Sequence, residues 1–184
     1  MILGRKFSRN DLHGLLAADY LGLVTYLGNE DPRRLIHAFR AVKLYRWAQF
    51  HYGQGRRGLG RLIWQANLTL TGADISPISD FGPGLVVPCP LGVTLFGVAG
   101  NNLTVHGQAV LGGGMSRRDI GAGPGRPLLG NDVVLGHGAM VLGPVLVGNS
   151  TEIGPGCVVM QDVAPYTTLR APPPVKQARK ERHA

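Results

Sequence analysis

Charge and aromatic rings are both scarce in this chain: 16% of its 184 residues are charged and 7% are aromatic. With 44% hydrophobic residues beside so little charge, a chain disordered throughout is excluded. So few rings leave no basic-aromatic interleaving of the RNA-binding kind, and nucleic acid is not expected as a partner despite a net charge of +8. A basic balance is also compatible with an anionic membrane or a phosphorylated small molecule. Cys89 and Cys157 are the only cysteines. Two do not make a disulfide framework, so both are expected as free thiols. No apolar run reaches bilayer length, and the opening Arg5-Lys6 is not followed by the apolar stretch of a signal peptide. No membrane is expected, and a cytoplasmic location follows by default.

Glycine, by contrast, is abundant, with 28 residues, and there are 13 prolines. They punctuate a repeat. From Ile75 every sixth residue is apolar: Ile75, Phe81, Val87, Val93, Ala99, Val105 and Leu111. The series resumes in phase at Leu129, Leu135, Val141, Val147, Ile153 and Val159, failing only at Arg117 and Gly123. Glycine follows the apolar residue at Gly82, Gly100, Gly112, Gly130, Gly136, Gly148 and Gly154. The fifth position is mostly small or aliphatic: Leu85, Leu91, Leu103, Ala109, Val133, Ala139, Val145, Cys157 and Val163. Neither helical periodicity nor strand alternation fits a run of this length. The spacing predicts a solenoid over residues 75–170, in which each hexad makes a short strand and a turn and three hexads close a coil. A β-sandwich is the competing reading, and the phase kept across the gap argues against it. Eighteen residues separate Leu111 from Leu129, one coil's worth of chain with few apolar members. The stretch 112–128 is expected to be looped out while the coils on either side stack.

Residues 1–74 read as helical, giving an α+β fold class. Asn10 or Asp11 is placed to cap a helix with Leu12, Leu15, Leu16, Tyr20 and Leu23 on its apolar face, ending near Gly28. Asp31-Pro32 starts a second, carrying Leu35, Ala38, Phe39, Val42, Tyr45, Trp47 and Phe50 and stopping near Gly53 and Gly55. A third runs from Arg57 through Leu62 and Ile63. Its arginines (Arg56, Arg57, Arg61) read as a solvated face rather than a binding patch. Residues 171–184 form a Pro-rich, then basic, tail.

Residues 44–77, 84–95, 102–114 and 135–169 together resemble the bacterial serine acetyltransferases, in order and spacing. The helix-to-repeat junction, the Leu-Gly-Gly before a Gly-rich loop and the closing VxxDVxPxTT pattern (Val159 to Thr168) carry the likeness. The resemblance implies a left-handed parallel β-helix, a homotrimer with active sites in grooves between subunits, and possible hexamers through the N-terminal helices. It implies acetyl-CoA or another acyl thioester as donor, on CoA or a carrier protein, and a small hydroxyl- or amine-bearing acceptor. Donor contacts would fall at Gly112, Gly113, Gly136, Ala139 and Lys176.

Where that family keeps a histidine as general base, preceded by an aspartate, this chain has Pro88-Cys89. Where a second family histidine precedes a proline after the loop, it has Arg126. Losing a positioned base forfeits about 10²–10⁴ in rate. Cys89 has two readings: a nucleophile that takes the acyl group from the thioester, or a small residue in a groove whose chemistry has lapsed. In the first, His106, seventeen residues on, is base or orienter, and Arg126 holds an anionic group. His137 stands at the third position of its hexad but on a different face from Cys89, and is expected at the surface or a subunit interface. Cys157 is expected as inward packing. His13, His37 and His51 have no metal-type spacing, and no metal site is expected. Three functions follow: an acyltransferase with Cys89 in the place of the usual histidine, a catalytically lapsed regulatory or scaffolding homologue, and a serine O-acetyltransferase with a rearranged base.

Overall fold

A computed structural model describes residues 8–28, 32–114 and 116–173. Lys176 and the rest of the tail beyond residue 173 lie outside the described residues.

Three helices lead in. Helix α1 (Arg9–Leu27) is capped by Ser8, not by Asn10 or Asp11. The Ser8 hydroxyl accepts from the Asp11 N–H at 3.1 Å and the Asp11 carboxylate accepts from the Ser8 N–H at 2.9 Å, a reciprocal capping box. Helix α2 (Pro32–Gly53) begins on its proline, and α3 (Arg57–Thr71) ends at Gly72, whose φ of 73° is left-handed. The apolar faces are narrower than expected, because Tyr20 and Trp47 are exposed. Arg46 on α2 ties the helices to the first coil. Fully buried, it donates to both oxygens of buried Asp19 on α1 at 2.8 and 3.1 Å, and to the carbonyls of Phe81 and Gly82 at 2.7 Å.

Beyond α3, the described residues form a solenoid of thirteen two-residue parallel strands in three sheets. The first sheet stacks β1 (Asp74–Ile75), β3 (Thr94–Leu95), β6 (Val110–Leu111), β9 (Met140–Val141) and β12 (Val158–Val159). The second stacks β2 (Asp80–Phe81), β4 (Val98–Ala99), β7 (Leu128–Leu129) and β10 (Leu146–Val147). The third stacks β5 (Thr104–Val105), β8 (Val134–Leu135), β11 (Glu152–Ile153) and β13 (Thr168–Leu169). The second residue of each strand points inward, and these form one continuous core from Ile75 to Val159. Strands this short are held by the coil above and below, so stability is shared between neighbouring coils.

Two expectations need correction. Val93 is buried, but the strand residue stacked on Ile75 is Leu95. The corner after Val87 is two residues longer than a hexad allows, and the edge from Leu95 to Ala99 is two shorter, so the count recovers by Ala99. Val93 takes the turn slot intended for Leu91, which is 64% exposed. The second correction concerns the loop. Leu111 lies in the first sheet and Leu129 in the second, so the excursion spans one corner and does not remove a coil. It inserts two hexads, which preserves the phase of six but shifts every later residue to another face.

Candidate functional site

The corner where the third sheet turns into the first gathers the reactive side chains. Val86 bridges to Thr104, and Val105 stacks on Leu135, so successive coils are in register there. Two residues past Val87, Val105 and Leu135 stand Cys89, Gly107 and His137, one above the other. The Gly138 N–H donates to the Gly107 carbonyl at 3.0 Å and the Gly156 N–H to the His137 carbonyl at 3.0 Å. A Cβ on Gly107 would lie 3.2 Å from Cys89 Sγ and 3.4 Å from His137 Nδ1. The missing side chain therefore leaves thiol and imidazole facing one gap. Both Cys89 and His137 are exposed. This overturns the placement of His137 on another face, and the reason is the loop: its two extra hexads turn Leu135 onto the third sheet.

His106 is on the same corner, one residue before Gly107, but turns towards α1. Its ring meets Tyr26 edge-on at 5.8 Å between centroids, and its Nε2 is 3.4 Å from the Tyr26 hydroxyl. Burial pushes the His106 pKa below its ordinary 6.5; a charge on His137 adds to this, and Glu152 works against it. A histidine that resists protonation when folded makes folding less favourable as pH falls. The loss begins near the unfolded value of 6.5 and is complete below the lower folded value. Lowering the pH from about 7.5 to 5.5 is thus expected to lower the melting temperature, and the drop should be smaller in His106→Gln. Equal drops in the two proteins would remove His106 from the account.

Arg126 sits elsewhere, on the corner between the first and second sheets. Its guanidinium lies over the Phe96 ring at 4.5 Å and its Nη1 is 3.4 Å from the Ile78 carbonyl. Its Nε is buried without a partner. Within one chain, then, Arg126 and Cys89 occupy different corners. Gly112 shares the Arg126 corner; its φ is 117°, and a Cβ there would strike the Phe96 carbonyl oxygen at 2.6 Å. Gly113 next to it is open. Gly136 lies on the Cys89 corner, packed on the Gly154–Pro155 backbone below. Ala139 is fully buried, its N–H donating to Gly136 and its carbonyl accepting from Val110. Cys157 is buried in the same column as Ala139. Among the described residues, no group of three His, Cys, Asp or Glu side chains is placed to hold a metal.

Gly107, Tyr26 and Glu152 carry parts of this corner that the spacing does not reveal. Gly107 is recognisable as the residue between Cys89 and His137 only from the pairing of Val105 with Leu135, since the phase of six does not show how many hexads the loop inserts. Tyr26 reaches the corner only through the packing of α1, which no local pattern encodes.

Comparison with known proteins agrees with this architecture. The family described as bacterial transferase hexapeptide (six repeats) matches residues 126–161. A serine acetyltransferase of Escherichia coli strain K12 is 30% identical over 145 residues, 77% of this chain and 51% of that protein. One from Bacillus pumilus is 31% identical over 158 residues, covering 83% and 65% of the two chains. The chain therefore spans about half to two thirds of the length of these curated relatives. Among solved structures, Neisseria gonorrhoeae serine acetyltransferase superposes with a TM-score of 0.80 at 26% identity, covering 96% of this chain and 70% of that one. The soybean enzyme complexed with serine gives 0.73 at 29% identity over 85% of this chain and 65% of that one. Helical lead-in and parallel solenoid together place the chain in the left-handed β-helix, hexapeptide-repeat acyltransferase family, as a serine acetyltransferase-like member.

Proposed function

We propose that the chain moves an acyl group from a CoA thioester to a small hydroxyl- or amine-bearing acceptor, with Cys89 carrying the group in between. The relatives are serine acetyltransferases, so acetyl-CoA and serine are the first pair to test. A carrier-protein thioester is the alternative donor. The single observation that carries the covalent version is that the Cys89 thiol and the His137 imidazole both close on Gly107, which has no side chain to stand between them.

The chemistry balances. His137 takes the Sγ proton as Cys89 attacks the thioester carbonyl carbon. The donor's C–S bond breaks, and the CoA sulfur leaves with the proton from the imidazolium. Exchange of one thioester for another is close to isoenergetic, so the acyl-Cys89 intermediate is accessible. The acceptor hydroxyl then gives its proton to His137 as its oxygen attacks, the Cys89 C–S bond breaks, and the proton returns to Sγ. His106, turned to Tyr26, orients the corner rather than acting as the base. Arg126 holds an anionic group of donor or acceptor. In a homotrimer, with or without pairing into hexamers, it would belong to a groove completed by a neighbouring copy. A cytoplasmic setting, which keeps thiols reduced, suits a free catalytic cysteine.

Intact-mass measurement after mixing with acetyl-CoA tests this. One acetyl group per chain is expected, absent from Cys89→Ala, with one equivalent of CoA thiol released as it forms and continued release once serine is added. Thiol release that survives in Cys89→Ala would overturn the covalent route and leave direct transfer to serine by a rearranged base. Neither adduct nor release with serine or other small acceptors would overturn the enzyme reading in favour of a scaffolding homologue.

A further inference from the structure

A second cleft lies between α3 and the first two coils. Its volume is about 360 Å³, and Tyr52, Trp64, Phe96, Arg61, Asp74 and Thr94 are among the residues that line it. That size falls in the range of small-molecule sites, roughly 300–1,000 Å³. Its rings are fixed in place. The Trp64 indole N–H donates to the Asp74 carboxylate at 2.8 Å, and Arg126 lies over Phe96 at 4.5 Å. Arg57 stands 5.9 Å from the centre of the Tyr52 ring. Arg61 of α3, expected only as part of a solvated face, thus lines an aromatic cleft, with Arg57 against its Tyr52 ring and Arg126 against its Phe96 ring.

We propose that this cleft binds a nucleotide: a planar heteroaromatic base carrying phosphate. Aromatic walls accept a base of any identity by stacking, worth about 1–3 kcal/mol per base. The exposed Arg61 guanidinium answers a phosphate with charge-assisted hydrogen bonds. The Asp74 carboxylate has acceptor capacity beyond its bond to Trp64, enough to receive an amino group on the base. Neither a simple aliphatic acid nor an uncharged ring uses both halves of this surface. The inference does not depend on Cys89. The occupant is a free nucleotide, bound besides the CoA donor.

Trp64 is its own reporter. The chain has two tryptophans, Trp47 and Trp64, so Trp47→Phe leaves one emission to follow. AMP is expected to quench it saturably in the full-length protein, while inorganic phosphate does not. Exposed Arg61, changed to Gln, should weaken AMP by about tenfold and leave adenosine unaffected. AMP is expected to be retained against CoA; its displacement by CoA would reduce the site to donor binding and overturn the proposal. No saturable quenching at millimolar AMP overturns the proposal, as does an Arg61→Gln protein that binds AMP like its parent.

Discussion

Arg46→Met is expected to destabilise the protein by about 3–5 kcal/mol, the cost of breaking a buried ion pair from one side. Arg46 and Asp19 are both fully buried. Burial is the largest influence and works against the charge on Arg46, but Asp19, by charge and hydrogen bond, together with Tyr45 and Asp80 outweighs it, so the guanidinium's pKa is raised and it stays protonated. Without Arg46, Asp19 keeps, among the described residues, the Leu85 N–H at 2.8 Å, and the carbonyls of Phe81 and Gly82 lose a donor. Neighbouring Tyr45 also stays protonated, since burial pushes its phenol up, and it donates to the Ser79 carbonyl at 3.0 Å. The pair therefore fastens α1 and α2 to the first coil, which has no coil above it to stack on. Urea denaturation measures the loss. Arg46→Met combined with Asp19→Leu should recover part of it, because the orphaned charge goes too. A single-variant loss below about 1 kcal/mol would show that water reaches Asp19 once Arg46 is gone.

The solenoid was readable because its signal is additive. Each inward slot is filled by an aliphatic or aromatic side chain, and a slot occupied wrongly in one coil is outvoted by the others. Positions on corners have no such protection. The corner after Val87 absorbs two extra residues without disturbing the sheets, so counting in sixes puts Val93 where Leu95 belongs. The loop after Leu111 shows the opposite hazard. An insertion of two whole hexads keeps the period and changes the face, so phase alone could not reveal which corner His137 occupies. Pairing could: once Leu135 is known to lie on Val105, His137 falls beneath Gly107 and Cys89. Tyr26 was beyond reach for another reason. Its contact with His106 joins residues eighty apart and depends on how α1 packs, which Asp19 and Arg46 decide.

His137→Gln is expected to lower kcat/KM for acyl transfer by about 10²–10⁴, the usual loss when a positioned base is removed. His106→Gln should cost far less, because Tyr26, not Cys89, is the partner of its Nε2. The contrast is informative because the two histidines are neighbours on one corner and both variants are isosteric enough to preserve packing. Gly107→Ala is the sharper test of geometry. Gly107 has no positive φ, so a methyl group imposes no backbone strain there. The methyl would press on both Cys89 Sγ, at 3.2 Å, and His137 Nδ1, at 3.4 Å. Melting temperature should therefore change little while turnover falls, since a small displacement of reacting groups is enough to cost a large factor in rate. Equal losses in His106→Gln and His137→Gln, or full turnover in Gly107→Ala, would mean that the thiol and imidazole share a gap without sharing a proton.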